Sequence, residues 1–192
     1  MNKINIKELQ GNAVSMFDDK WCLITAGTKE SYNTMTASWG AMGELWNKDV
    51  CFIFIRPQRY TLEFTEREEY FTLSFFSEDY KKALAFCGRN SGRDCDKAKE
   101  TGLTYGPSKI VKAPIIMESP LSIECKVKQV IPLGSHDMFL AEVVNVQADD
   151  RYLNQETGEW NLAEADPLVY THGKYFHLGD MIGKFGWSVK KK

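Results

Sequence analysis

The stretch Tyr32-Asn-Thr-Met-Thr-Ala-Ser-Trp39 is polar, although apolar segments lie on both sides of it along the chain. Residues 21–26 precede it and residues 50–55 follow it. Both flanks are short, rich in β-branched and aromatic residues and bounded by turn-forming residues, which is typical of buried strands. A polar segment between buried strands either faces solvent along one side of a strand or presents its donors and acceptors to a ligand. From composition alone, both interpretations stay open.

Two arginines follow the strand predicted over 50–55, in the segment Arg56-Pro-Gln-Arg59-Tyr-Thr61. Pro57 is expected to end the strand, because proline has no N–H for the ladder. Guanidinium groups and hydroxyls at one strand end suit a phosphate attached to a polar ring. The alternative is that the arginines pair with the glutamate-rich helix predicted to follow, with Thr61 as its N-cap. Either interpretation can hold for either arginine.

Length and charge exclude several classes of protein. The chain has 192 residues and a formal net charge of −2, which predicts a single domain over 1–192 without a nucleic-acid-binding surface. An anionic ligand therefore needs a local cluster of cations. No window approaches the roughly 20 apolar residues of a membrane span, and the N-terminus lacks the apolar core of a signal peptide. We therefore expect a soluble, cytoplasmic protein with no membrane partner.

Five cysteines and three histidines show no metal-binding spacing. The cysteines form no CxxC pair, and we expect reduced, mostly buried thiols. No histidine has a partner at the spacing of a zinc site, so we expect no metal. The motifs GxSxG and GxGxxG are absent, which leaves neither a hydrolase nucleophile nor a Rossmann dinucleotide site.

Hydrophobic periodicity predicts several helices. We expect a short helix over 6–9, one over 61–67, one over 78–87 and one from 94 or 95 to 101. Gly88 and Gly102 follow the last two of these and are interpreted as the residues that end them.

The strand pattern decides the fold class. Gly40, Gly43 and Asn47 are expected to break the segment before the strand over 50–55. Residues 121–128 alternate between apolar and polar side chains, which predicts a half-solvated antiparallel strand over 121–131 with 138–148 as its partner. The residues expected on its solvent side are Ser122, Glu124, Lys126 and Lys128. Short strands without regular strand–helix alternation favour a mainly β fold, a small antiparallel barrel with peripheral helices.

Four motifs in this order resemble the flavin reductase-like family of FMN-binding split-barrel proteins, whose relatives include flavoredoxin. They are Tyr-Asn-Thr-Met-Thr-Ala-Ser-Trp-Gly at 32–40, Arg-Pro-Gln-Arg-Tyr-Thr at 56–61, Phe-Thr-Leu-Ser-Phe-Phe at 71–76 and Ser-Gly-Arg-Asp-Cys-Asp-Lys at 91–97. The resemblance spans nearly the whole chain. It implies a split β-barrel of antiparallel Greek-key type, FMN as the cofactor, and a homodimer with cofactor sites near the interface.

The resemblance also implies where the flavin lies, with its ring against the stretch 32–39. Adding the arginine segment and the loop 91–97 gives the candidate cofactor-binding residues Asn33, Thr34, Met35, Thr36, Ala37, Ser38, Trp39, Arg56, Arg59, Thr61, Ser91, Arg93 and Lys97. We expect the guanidinium groups to hold the phosphate, and backbone N–H groups near Met35 to stabilise negative charge on the reduced ring. Loop 91–97 enters a helix, so it is either an anion site or a capped helix start. His172 is a candidate near the flavin, with an ordinary loop histidine as the alternative.

Three functional hypotheses follow. The first is an FMN-dependent oxidoreductase in which NADH or NADPH passes a hydride to the flavin, a reaction that needs proximity more than a protein acid or base. The second is a flavoredoxin-like electron carrier that exchanges electrons with a protein partner. The third is a split barrel that binds no flavin. FMN is expected rather than FAD, since the proposed cations suit one terminal phosphate.

Two apolar segments predict a homodimer; the alternative is that they complete the core under the C-terminal tail. Their residues exceed what a small barrel can enclose, and aromatic and methionine residues are enriched in interface cores. They are Trp39, Met42, Leu45, Trp46, Phe176, Met181, Phe185 and Trp187.

Overall fold

The computed structural model describes residues 22–183 except Ser38, Trp46, His172 and Gly173. Several predictions concern residues outside the described part of the chain. They are the helix predicted over 6–9, the roles predicted for Ser38 and His172, and the interface residues Trp46, Phe185 and Trp187. Within the described part, no helix is long and apolar enough to cross a membrane.

The described chain is mainly β-strand, with helices at its periphery. The strands are β1 (Cys22–Gly27), β2 (Tyr32–Ala37), β3 (Gly40–Glu44), β4 (Asp49–Ile55), β5 (Tyr70–Phe75), β6 (Tyr105–Gly106), β7 (Ile115–Ile116), β8 (Leu121–Pro132), β9 (Asp137–Ala148), β10 (Val169–Thr171) and β11 (Lys174–Phe176). The helices are α1 (Thr61–Glu68), α2 (Lys81–Arg89), α3 (Lys97–Thr101) and α4 (Leu162–Ala165), with 3₁₀ turns at Glu78–Tyr80 and Asp150–Tyr152.

Seven of the strands form one antiparallel sheet in the order β2-β1-β5-β8-β9-β4-β3. Its two edge strands, β2 and β3, are consecutive in the chain, because β2 ends at Ala37 and β3 begins at Gly40. The three Cα–Cα steps from Ala37 to Gly40 span at most about 11 Å. The sheet must therefore curl until its edges approach each other, which gives the split antiparallel barrel that the sequence predicts.

The barrel encloses one apolar cluster and carries another on its outer surface. Ile24, Phe71 and Phe139 lie in the inner cluster, and Phe64 of α1 packs into the same cluster. The outer cluster joins Leu23 of β1 to α2. Because successive residues of a strand point to opposite sides, β1 supplies both clusters and is buried along its whole length.

The prediction that glycines break the segment after Trp39 was wrong, because this segment is the edge strand β3. A Cβ at Gly40 would lie 2.6 Å from the carbonyl oxygen of Phe52. Glycine is therefore what allows β3 to pair closely with β4. Asn47 has φ 60° in the β3–β4 connection, so it is a turn residue, as predicted.

The prediction that Gly88 ends the second helix was also wrong, since α2 continues through Gly88 to Arg89. A Cβ at Gly88 would lie 3.2 Å from Cβ of Thr36. The missing side chain thus lets α2 approach β2, which a C-terminal glycine signal cannot reveal. Gly102 does end α3, with φ 71°.

Thr61 is the first residue of α1 and not its N-cap, the position that Tyr60 occupies without a side-chain hydrogen bond. The hydroxyl of Thr61 instead accepts a 2.8 Å hydrogen bond from Nδ2 of Asn33. It therefore ties the start of α1 to β2.

The solvent face predicted for β8 is correct only for its second half. Ser122 and Glu124 are buried, because the segment 109–111 covers this end of the strand and donates three backbone N–H groups to the Glu124 carboxylate. Alternation over 121–128 identified the two faces of β8, but it could not show that another segment covers one of them.

The cysteine prediction is confirmed, since all five cysteines are free thiols and four of them are buried. Cys51 and Cys125 meet in the barrel interior, with their sulfur atoms 3.4 Å apart.

Candidate functional site

The end of β4 places Arg56 beside residues from two other parts of the chain. Nε of Arg56 donates a 3.1 Å hydrogen bond to Nε2 of His136, which precedes β9. The His136 ring in turn packs on the Trp39 ring, with a centroid separation of 4.8 Å. These three side chains therefore link the end of β4, the β8–β9 turn and the connection between the edge strands.

Arg59 links the same loop to α2. Its Nη1 donates a 2.7 Å hydrogen bond to the carbonyl oxygen of Gly88, near the C-terminal end of the helix. Neither Arg56 nor Arg59 forms an ion pair with an acidic residue of the described chain, so the pairing with α1 glutamates that the sequence left open is not observed. Arg93 makes that contact instead, with Glu63.

A cleft of about 220 Å³ opens between these arginines and β2. Its walls combine two guanidinium groups with several apolar side chains and one aromatic ring pair. The lining residues are Met35, Thr36, Ala37, Trp39, Phe54, Arg56, Arg59 and His136. Cations on one wall and flat apolar groups on the other suit an anionic ligand that carries a planar ring.

The backbone of β2 also contributes to the cleft. Among the described strands, β2 lies at the edge of the sheet and pairs only with β1, so alternate backbone groups point away from the sheet. The carbonyl oxygen of Thr34 points outward and accepts a 2.7 Å hydrogen bond from Nζ of Lys97. Thr36 lies two residues further along and therefore directs its N–H and carbonyl the same way, at the wall of the cleft.

Lys97 supports the elements around the site and does not line the cleft. Its buried ammonium group donates to the carbonyl oxygens of Thr34 and Cys87, the second at 2.9 Å. Burial lowers the pKa of Lys97, and burial raises the pKa of the Cys87 thiol to about 11. This lysine therefore fixes the distance between β2 and α2, the two elements that flank the cleft.

Two more predicted residues belong to this supporting layer. Asn33 is buried and bonds to Thr61. The hydroxyl of Thr34 lies 2.8 Å from that of Thr25 on β1. The polar side chains of the opening stretch thus bond to residues of other elements. Thr36 is the one whose side chain reaches α2, where it donates to the carbonyl oxygen of Leu84.

The loop 91–97 lies on the α1 side of the site. The guanidinium of Arg93 lies over the Tyr60 ring, 4.6 Å from its centroid, and the backbone N–H of Arg93 donates to the Ser91 hydroxyl. Asp96 caps α3 by accepting from the N–H of Lys99. Neither Ser91 nor Arg93 lines the cleft, so this geometry favours the capped helix start that the sequence left as an alternative.

Sequence reasoning missed several residues around the cleft. His136 and Phe54 both line it. The turn-forming residues at 132–135 were the one signal in the sequence that placed His136 in a loop. A second groove adjoins the cleft and shares Thr36 and Arg59 with it. No sequence motif pointed to the cations that line this groove.

Fold and site together define an antiparallel split barrel with a basic cleft at the seam between its edge strands. The sequence matches the family described as "Flavin reductase like domain" over residues 15–179. The chain therefore belongs to the flavin reductase-like family, as the motifs predicted.

Three known proteins illustrate the similarity. The structure "Flavoredoxin of Desulfovibrio vulgaris (Miyazaki F)" superposes with a TM-score of 0.81 at 26% identity, covering 89% of this chain and 92% of that one. An uncharacterized protein of Aeropyrum pernix is 27% identical over 149 residues, which are 77% of this chain and 55% of that protein. The "FMN reductase (NADH) RutF" of Pseudomonas syringae pv. syringae is 32% identical over 69 residues, or 36% of this chain and 32% of that protein. The match thus spans about half of the first relative and a third of the second.

Proposed function

We propose that this protein is an FMN-dependent oxidoreductase of flavin reductase type, formed by one domain over 1–192, in which NADH or NADPH reduces the flavin. The observation that carries the proposal is a pair of guanidinium groups without acidic partners in the described chain, Arg56 and Arg59, which line one cleft together with the edge strand β2 and the ring of Trp39. The family membership and the partial similarity to an FMN reductase support the same function.

The residues present fit FMN. Arg59 and Arg56 provide charge-assisted donors for one terminal phosphate. The rings of Trp39 and Phe54 line the cleft and give a surface for a planar ring, whereas the side chains of Met35 and Ala37 lie in the inner apolar cluster. The cleft alone is smaller than the roughly 300–1,000 Å³ that is typical of ligand sites. It adjoins the second groove, with which it shares Thr36 and Arg59. The other predicted contributors either contact FMN or support the residues that do. They are Asn33, Thr34, Thr61, Ser91, Arg93, Lys97 and Ser38, the last of which lies outside the described residues.

FMN, when bound, supplies the ring position that accepts a hydride. The chain's own task is to hold that ring and its partner in contact and to exclude water. The outward N–H of Thr36 is placed to donate to the edge of the ring, where negative charge develops on reduction. No protein acid or base is required, so His136, which accepts from Arg56, acts as a support for the arginine.

An absorption spectrum tests the function directly. Purified protein should carry or take up FMN, and anaerobic addition of NADH or NADPH should bleach the flavin band. Heat-released flavin should co-migrate with FMN; recovered FAD would contradict the cofactor assignment. Protein that takes up no flavin would contradict the proposal as a whole.

The similarity to flavoredoxin favours a second candidate function, an FMN electron carrier with a protein partner. The same experiment separates the two. A flavin that stays oxidised with both nicotinamides but bleaches with a reduced electron-transfer protein supports the carrier.

We further propose a cytoplasmic homodimer whose interface includes β3. Trp39, Met42 and Leu45 on and beside this edge strand are 43%, 36% and 39% exposed. Trp39 also lines the cleft, so covering this surface would bring the partner subunit next to the flavin site.

A further inference from the structure

A second basic groove adjoins the cleft, on the side of α2. It has a volume of about 530 Å³ and is lined by four cations, Arg59, Lys81, Lys82 and Arg89, together with Tyr175 of β11. Lys82 and Arg89 lie seven residues apart on α2, which places them on one face of the helix, two turns from each other. No acidic residue of the described chain lines this groove.

Three of these four cations have no acidic partner among the residues that the structure describes. Lys81 pairs with Glu78, and Arg59 donates to the carbonyl oxygen of Gly88. Lys82 and Arg89 form no ion pair with any residue that the structure describes, and both are exposed. Cations that line one groove repel each other, and a bound anion relieves this repulsion. The groove is therefore arranged for a ligand with several negative charges.

The shape of the groove favours a small molecule over an acidic protein. Its volume falls in the range of about 300–1,000 Å³ that is typical of sites for small ligands. Tyr175 provides an aromatic surface on which a purine base can stack. A ligand with phosphates and an aromatic base fits both features.

The groove also has a fixed relation to the proposed flavin site. Thr36 and Arg59 line both spaces. If Arg59 holds the FMN phosphate, Lys82 and Arg89 face the next anion along the same surface. A dinucleotide whose nicotinamide lies against the flavin ring would extend its phosphates in this direction.

We infer that this groove binds the phosphates of the reducing dinucleotide, and that Lys82 and Arg89 hold the 2′-phosphate that distinguishes NADPH from NADH. The inference rests on the proposed function and deepens it: the protein prefers NADPH. A phosphomonoester adds about −1.5 to −2 charges near neutral pH, which matches two cations without acidic partners. Arg89, with its planar fork, contacts two oxygens of that group.

The test uses nucleotide fragments, so that binding is read without turnover. Calorimetry with the full chain should show 2′,5′-ADP binding roughly tenfold or more tightly than 5′-AMP, as expected for one charge-assisted contact. The double variant Lys82→Gln and Arg89→Gln should remove that difference. Lys112→Gln is the control, since this exposed lysine lies 3.8 Å from its nearest acid, Glu68, and outside the groove; it should keep the difference.

Three results would overturn the inference. Equal affinity of the wild-type protein for the two nucleotides would show that the 2′-phosphate is not recognised. A loss of FMN affinity in the double variant, with nucleotide binding unchanged, would assign the groove to the flavin phosphate. Loss of electron transfer from an acidic protein donor, again with nucleotide binding unchanged, would make the face a docking surface.

Failure of the proposed function has a different signature. In that case neither NADH nor NADPH bleaches the bound flavin, whatever the calorimetry shows. If NADH bleaches the flavin but the fragments bind equally, the function stands and the groove assignment falls.

Discussion

Arg59 reaches from the end of β4 to α2, where its Nη1 lies 2.7 Å from the carbonyl oxygen of Gly88. Gly88 itself packs against Thr36 of β2, close enough that a Cβ would lie 3.2 Å from that of the threonine. One hydrogen bond and one close approach therefore join the three elements that surround the proposed flavin site. Arg59 also lines both the cleft and the adjoining groove.

Replacing Arg59 by alanine should weaken FMN binding roughly 10- to 100-fold, because a charge-assisted contact to a buried phosphate contributes about 1.5–3 kcal/mol. Quenching of flavin fluorescence on titration with apoprotein measures the dissociation constant. Arg59→Lys should recover only part of the affinity, since a lysine cannot contact both Gly88 and two phosphate oxygens.

Arg151→Ala is the matched control for this measurement, as this exposed arginine pairs with Asp149 far along the chain. Thermal unfolding of both variants separates a loss of binding from a loss of fold. If Arg59→Ala and Arg151→Ala bind FMN equally well and both are folded, Arg59 does not belong to the flavin site.

Local sequence patterns were sufficient for most strands and insufficient for what covers them. The apolar runs at β1, β4 and β5 and the alternation of β8 each identify a strand without reference to the rest of the chain. The burial of Glu124 depends on a segment about 14 residues away, and periodicity carries no information on such contacts. Gly88 shows the same limit. From the local sequence, a glycine near a helix end indicates that the helix stops there, whereas in the fold its missing side chain allows α2 to pack on β2.

The candidate site was predictable where it follows strand ends. Thr36, Arg56 and Arg59 lie at such points, and the structure brings all three to the cleft. Lys97 was not predictable as a buried brace, since lysines are almost always exposed. His136 reaches the cleft from the distant β8–β9 turn, so its position depends on the sheet order and not on any motif.

The buried carboxylate of Glu124 should be one of the main supports of the barrel. It accepts backbone N–H groups from the segment 109–111 and side-chain amides from Asn145 and Gln147, at 2.7–3.0 Å. Glu124→Ala leaves these donors without an acceptor and should destabilise the fold by about 3 kcal/mol. Chemical denaturation measures this, with the exposed helix residue Glu66→Ala expected within about 0.5 kcal/mol of wild type.

The same residue gives a pH prediction. Burial raises the pKa of Glu124, but its hydrogen bonds outweigh burial and hold the pKa below the ordinary value of 4.5. A carboxyl with a lowered pKa stabilises the folded state above its unfolded pKa, and this contribution is lost as the pH falls through the folded value. The stability gap between wild type and Glu124→Gln should therefore narrow below about pH 4; a gap that stays constant down to pH 3 would contradict the prediction.

His177 should show the opposite pH dependence. Its ring contacts Asp166 at 2.6 Å and Glu78 at 3.1 Å, and the hydrogen bond to Asp166, followed by that to Glu78, raises the pKa of His177 above 6.5. A raised pKa stabilises the folded state fully below the unfolded pKa, and the stabilisation is lost as the pH rises through the folded value.

An NMR titration of the His177 ring measures this pKa, and Asp166→Asn should lower it towards the ordinary value. The stability advantage of wild type over His177→Gln should be largest near pH 5 and vanish at alkaline pH. An unchanged pKa in Asp166→Asn would show that the contact does not form in solution.

The exposed edge strand β3 should form the homodimer interface. Met42 lies in the middle of β3 and pairs with Cys51 of β4, so its side chain is presented by a rigid strand and Met42→Glu should place a charge in an apolar interface. An uncompensated buried charge costs several kcal/mol, so the variant should be monomeric. The mass measured by light scattering at micromolar concentration should then fall from about twice 22.0 kDa to 22.0 kDa.

The matched control is Ile110→Glu, because Ile110 is 64% exposed on a loop away from β3 and should leave the mass unchanged. FMN affinity measured on both variants extends the test to the cofactor site. Since Trp39 lines the cleft, loss of the partner should weaken FMN binding in Met42→Glu and not in Ile110→Glu. A wild-type mass of 22.0 kDa would contradict the dimer, and a Met42→Glu variant that stays dimeric would move the interface away from β3.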